Sequence, residues 1–517
     1  MSQKTAWEDS AESEGTTESE RILTRLARKA FLSLWSYPNV YSDEGRRNGQ
    51  GDGKELVDLL VVFGDDVLLF SDKSCQFQSH VDIKVAWSRW YRRAIEKSAR
   101  QLAGAENFIK RFPERVFLDK SCTIPLPITI PNSHVARYHL IAVTRGSHLV
   151  AKQFFGGGSS GSLMLSSNLR GRSDHEKMPF HIGQPLESGR FIHVFDEITV
   201  NLLLDELDTV PDFITYLRKK EKFIEQPGII VSVPGEEDLL ARYMATMRND
   251  EHEFPKVAQD FDYVALPEGD WNVYFNSPQR AVKKKADKIS YMWDALIEHH
   301  SKFIRSGEVI SSPFLPPNTP VDHERIVRAL AAQPRLARRT LASDLHHALQ
   351  QSDPGRMFAR VKIMGRPPKQ AFVFLTIPLT PGEDYSTTYR ERRMHALTVY
   401  CHALKESVPT LEEAIGVACE PLSEGEASND LLYVNLAQTS CEDIAFWRAQ
   451  ADELEILRPN TEMMLFRDSE PEFPAPYKFV DSSAMHIDPN RTPMNRAERR
   501  RADREARRRD KKAKKKR

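Results

Sequence analysis

The stretch KELVDLLVVFGDDVLLFSDK, Lys54 to Lys73, reads as two apolar runs of strand length joined by Gly64-Asp65-Asp66. A tight polar turn between such runs predicts a β-hairpin, and runs this continuous predict strands buried on both faces. Asp58 interrupts the first run, and Ser71-Asp72-Lys73 closes the second. A carboxylate buried without a partner or a metal is costly, so Asp58 is either a functional group or a satisfied buried polar group. An acid on one strand and a lysine on the next can set a divalent-metal ligand beside a cation. The carboxylate then holds Mg²⁺, and the lysine polarises water or stabilises charge on a phosphate.

Upstream, Thr17-x-x-Glu20 has the spacing of a capping box ahead of Ile22, Leu23, Leu26, Ala30, Phe31 and Leu34. That pattern predicts a helix over roughly 18–35, stopped by Tyr37-Pro38-Asn39, with residues 1–16 disordered. Downstream, a helix is predicted from Val85 to about Ile109. It places Trp87, Trp90, Tyr91, Ala94, Ile95 and Leu102 on one side and Arg89, Arg93, Lys97 and Arg100 on the other. The basic stripe is read as a phosphate-binding face, with a plain solvated face as the alternative. Gln101 lies on the apolar side, where an amide is out of place, and is read as pointing toward Asp58.

This order of elements (helix, strand with Asp, strand ending in x-Lys, basic helix) resembles the restriction-endonuclease-like PD-(D/E)XK nuclease superfamily over residues 18–110. The resemblance implies Mg²⁺- or Mn²⁺-dependent cleavage of DNA, ahead of RNA, and a role such as bacterial defence. It puts Asp58 at the Asp position, Lys73 at the Lys position, and Glu20 at the acid that some members carry on the first helix. Ser71 stands where the second acid is expected, which leaves Asp72 and Glu55 as the spare carboxylates for the metal. The catalytic set is then Asp58, Asp72, Lys73, Glu20 and Gln101, and the metal set Asp58, Asp72 and Glu55. The other reading is a nuclease fold without activity, serving as a nucleic-acid-binding or assembly module with protein partners.

The chain has 517 residues, 40% of them apolar and 28% charged, with a mean hydropathy of −0.50. That is the composition of several soluble domains, without a membrane span or an apolar leader, and it points to the cytoplasm. Cys75, Cys122, Cys401, Cys419 and Cys441 are odd in number and scattered, so they are expected as reduced thiols. The net charge of +0 conceals a polarised chain, because residues 496–517 carry fourteen Lys/Arg against four Asp/Glu. This disordered tail, with Arg499, Arg500, Arg501, Arg507, Arg508, Arg509, Lys511 and Lys512, is suited to a polyanion.

The fold class expected is α+β: a nuclease-like unit at 17–112, a central region at 113–310, a Pro-rich linker at 311–320, a carboxyl-terminal α+β domain at 321–475, and linker plus basic tail at 476–517. Within the central region YHLIAV and FIHVF read as strands, 197–224 as two helices split by Pro211, and Asp205-Glu206-Leu207-Asp208 as a helix surface. In the last domain ARVKIM, AFVFLTIPL and DLLYVNL read as strands between helices.

Overall fold

The computed structural model describes residues 13–46, 50–157, 159–248, 251–257, 261–307, 319–351, 356–421, 428–457 and 471–474. Residues 1–12, the linker at 311–318 and the basic tail lie outside the described residues. The fold is α+β, in two compact units, one within Asp9–Ala281 and one within Val282–Ala475. The division falls at 281/282 rather than in the Pro-rich stretch.

The first unit opens with helix α1 (Glu18–Phe31), whose start is closed by a reciprocal capping box between Thr17 and Glu20. It ends earlier than expected because Leu32 takes φ +66, which breaks the right-handed ladder. Strand β1 (Ser36–Ser42) follows, then the hairpin of β2 (Lys54–Phe63) and β3 (Asp66–Ser74), paired antiparallel from Phe63↔Asp66 to Leu59↔Phe70. Gly64, at φ +58, lets the chain reverse in so few residues. Next come α2 (Ile83–Tyr91), a π turn at Arg92–Glu96, and α3 (Lys97–Arg111), the expected basic helix in two pieces.

This unit does not stop at residue 112. Strands β4 (Val116–Phe117), β5 (Arg137–Arg145) and β8 (Ile192–Asp196) join the same sheet, in the order β4-β1-β2-β3-β5-β8. β3, β5 and β8 run parallel, so the sheet is mixed. Side chains alternate along a strand, and the neighbours of Phe70 and Ser71 identify the two faces. Phe70 lies 6.3 Å from Phe31 of α1, whereas Ser71 reaches Ser98 and Gln101 of α3, so α1 and α3 cover opposite faces.

Further along are α4 (His148–Phe154), β6 (Met164–Arg170), α5 (Gly171–Lys177), β7 (His181–Gln184), α6 (Thr199–Glu206) and α7 (Val210–Ile224). Pro211 sits in the first turn of α7, where its missing amide costs nothing. Phe213 of α7 packs 5.1 Å from Phe31, placing α7 on the α1 face. β9 (Ile230–Val233) and α8 (Glu236–Ala245) follow, and Tyr263–Ala265, β9, β6 and β7 make a second sheet. Of the acidic group at 205–208, Asp205 is the solvated member, paired with Lys29. Glu206 and Asp208 are buried, and Glu206 accepts from Arg280 and Tyr274.

In the second unit four strands, Phe358–Met364, Gln370–Thr376, Glu413–Cys419 and Asn429–Asn435, form a sheet in that order, with the middle pair parallel. Trp293 packs against Phe372 and Phe374, while Val373 and Leu375 belong to a core with Leu397 and Leu404. Coverage of both faces explains why AFVFLT is apolar without alternation. All five cysteines are free thiols.

Candidate functional site

Asp58, Ser71 and Lys73 share the α3 face of the sheet, because Leu59 pairs with Phe70 and the alternation carries to the next residues. Asp58 is only 2% exposed. Its Oδ2 accepts from the Asp72 amide at 2.5 Å and lies 3.3 Å from Lys73 Nζ. Lys73 is a quarter exposed, so the pair stands at the rim of the buried sheet rather than inside it. Burial pushes the Asp58 carboxyl up to about 6, and Glu55 adds to the rise, while Lys73 and the Asp72 amide oppose it.

Two further acids converge on the same end of the sheet. Asn39, on β1, donates its side-chain amide to Glu20 Oε2 at 3.0 Å and to Glu55 Oε1 at 2.8 Å. Burial would raise the Glu20 carboxyl, but Asn39 and the Thr17 and Thr16 amides outweigh it and hold the group below its ordinary value. Tyr41, farther along β1, is pushed up to about 12 by burial and by the charges of Glu55, Glu20, Asp119 and Asp58. Glu20 and Glu55 are thus joined through Asn39, while Asp58, on the α3 face, has Lys73 as its cation.

The Asp72 side chain does not share the Asp58 face, contrary to its expected role as a metal ligand beside it. It points to the α1 face, and Arg145 at the end of β5 grips its carboxylate in a bidentate pair, Nε–Oδ1 2.9 Å and Nη2–Oδ2 2.8 Å. Only its main-chain amide serves Asp58. Ser71 occupies the place of the missing acid, with its Oγ 3.3 Å from both Ser98 Oγ and Gln101 Oε1. Gln101 Nε2 in turn donates to the Leu56 carbonyl, so Gln101 braces β2 and β3 rather than reaching Asp58.

The basic stripe is present as expected: Arg89, Arg93, Lys97 and Arg100 are exposed, while Trp87, Trp90, Ala94 and Leu102 are fully buried. Arg93 rests on the Gln76 carbonyl and Arg100 on Glu96 Oε1, both partners lying close to their own helix. Sequence reasoning does not find Arg145 or Asn39 as site residues. For Arg145 the one signal is a charge ending the run YHLIAVTR, and Asn39 reads only as a helix stop. Nor does it single out His139 and His193 within YHLIAV and FIHVF, although a polar ring inside an apolar run is the same signal that marks Asp58.

A scan against protein-family models, a search of curated proteins and a search of solved structures each find no match to this chain. No helix among the described residues is long and apolar enough to cross a membrane.

Proposed function

We propose that the first unit is a metal-dependent, nuclease-like module that cleaves the phosphodiester backbone of DNA, with a restriction-endonuclease-like arrangement of α1, the hairpin and α3. The observation that supports this reading best is the buried Asp58 carboxylate beside the partly exposed Lys73 ammonium across the hairpin, with Glu20 and Glu55 held on the Asn39 amide at the same end of the sheet. The Asn39 amide bridges two of these acids, which is a weak substitute for a cation. Mg²⁺ or Mn²⁺, hard ions that take carboxylate oxygens, would be held by Asp58, with Glu55, whose charge Asp58 feels, as the next acid. Once bound, such an ion supplies Lewis-acid polarisation of a phosphoryl oxygen and an activated water.

The chain's own groups have separate tasks. Asp58 must be ionised to act, and Lys73 and the Asp72 amide favour that form. Lys73, partly exposed, can swing from Asp58 to a scissile phosphate and stabilise charge as it develops there. Arg89, Arg93, Lys97 and Arg100 position the nucleic-acid backbone, and the tail adds sequence-independent affinity. Free thiols accord with a reducing compartment such as the cytoplasm.

A second reading, a binding module that does not cut, is favoured by Ser71 and by the commitment of Asp72 to Arg145. Incubating supercoiled plasmid and labelled RNA with Mg²⁺, Mn²⁺ or EDTA decides between them. Cleavage that needs metal and falls by about 100-fold or more in folded Asp58→Ala and Lys73→Ala is expected for the enzyme. Intact nucleic acid under conditions of tight binding overturns it in favour of the binding module.

A further inference from the structure

On the opposite face of the same sheet, His139 of β5, His193 of β8 and Glu221 of α7 meet under α7. One ligand atom from each lies within 4.8 Å of the others. Glu221 Oε1 is 3.0 Å from His193 Nε2 and 3.8 Å from His139 Nδ1, so one carboxylate oxygen faces two ring nitrogens. The second distance is too long for a hydrogen bond, and His139 Nδ1 is buried without a hydrogen-bond partner. Asp66 Oδ1 lies 2.9 Å from the other nitrogen of that ring, Nε2. In the neutral tautomer that keeps its proton on that nitrogen, Nδ1 presents its lone pair toward Glu221. A carboxylate fixing the far side of an imidazole is the usual outer support of a metal-bound histidine.

The geometry points to a binding site for a divalent transition metal of the Zn²⁺ class, formed by His139 Nδ1, His193 Nε2 and Glu221, with Asp66 orienting His139. Ligand atoms at about 2.0–2.1 Å from a tetrahedral zinc lie roughly 3.3–3.4 Å apart, between the two distances found here. Two imidazoles and a carboxylate suit this class better than Mg²⁺, which takes oxygen ligands. His139 and His193 are 3% and 0% exposed, whereas the Glu221 side chain is 31% exposed, so the carboxylate is the ligand that faces solvent. The nearby cations are already committed: Arg218 to Asp66, and Lys220 to Glu236 at 2.6 Å. Such an ion would tie β5 and β8 to α7, elements that adjoin in space but are separated in the chain.

The test is titration of the metal-free full-length protein with Zn²⁺ by calorimetry and with Co²⁺ by its visible ligand-field bands. One equivalent is expected to bind and to raise the melting temperature. Glu221→Gln, at a partly exposed position and so tolerant of change, should abolish the Co²⁺ bands, and Asp66→Asn should weaken binding about 10- to 100-fold. Asp58→Asn, on the other face, should leave it unchanged. Absence of stoichiometric binding, or binding equally tight in Glu221→Gln and His193→Gln chains of native circular dichroism, overturns the proposal.

Discussion

At Asp58 burial pulls against the ionised form that its proposed role requires. Its carboxyl titrates near 6 in the folded chain and near 3.8 when exposed, so between these values the folded state binds the extra proton. Stability contributed by this group therefore falls as pH rises through that window, by on the order of 3 kcal/mol once both states are ionised. Asp58→Asn removes that dependence. Urea denaturation should show the variant gaining on the native chain by about 1–3 kcal/mol between pH 4 and pH 7. A difference that stays flat with pH would mean that Asp58 is better solvated than its burial indicates. For the proposed cleavage the same titration predicts an acid limb that rises with pH up to about 6 and then levels.

At the scale of elements, the hairpin and the basic helix act as one unit. The Trp87 and Trp90 rings stack 5.5 Å apart beneath the helix and hold its polar side outward. Four cations on that side are then presented to solvent, at a modest cost, because exposed charges need no compensation. Replacing Arg89, Arg93, Lys97 and Arg100 with alanine should lower DNA affinity for all sequences alike. The slope of log affinity against log salt should become shallower by about 0.9 for each phosphate that the variant no longer neutralises. Fluorescence anisotropy over a series of NaCl concentrations checks this, and an unchanged slope would make the stripe a plain solvated surface. The element least legible in advance is the strand Glu413–Cys419, because EAIGVAC is short, contains a central glycine and lacks alternation. Leu397, whose side chain fills the space a Cβ at Gly416 would take, supplies the reason for that glycine.

Across the whole molecule, charge is divided between the last 22 residues, at +10, and everything before them, at −10. Truncation after Asn495 should leave the melting temperature unchanged and weaken nonspecific DNA binding at low salt by about tenfold or more, with a shallower salt dependence. Equal binding by the truncated chain would assign all affinity to the folded units.

Periodicity and punctuation are enough to locate the hairpin, the capped first helix, the amphipathic basic helix and the α+β class, since each is written in residues within a few positions of one another. They are also enough to mark Asp58 and Lys73, which face each other across a turn. What they cannot convey is which distant group each buried side chain meets. Arg145 claims Asp72 from 73 residues away, Gln101 claims Ser71 from 30, and Asn39 joins Glu20 to Glu55. The domain limit at 112 fails for the same reason, because parallel strands such as β5 and β8 join a sheet only through long crossovers. The meeting of His139, His193 and Glu221 arises likewise from packing α7 over two parallel strands, an arrangement with no local trace in the chain.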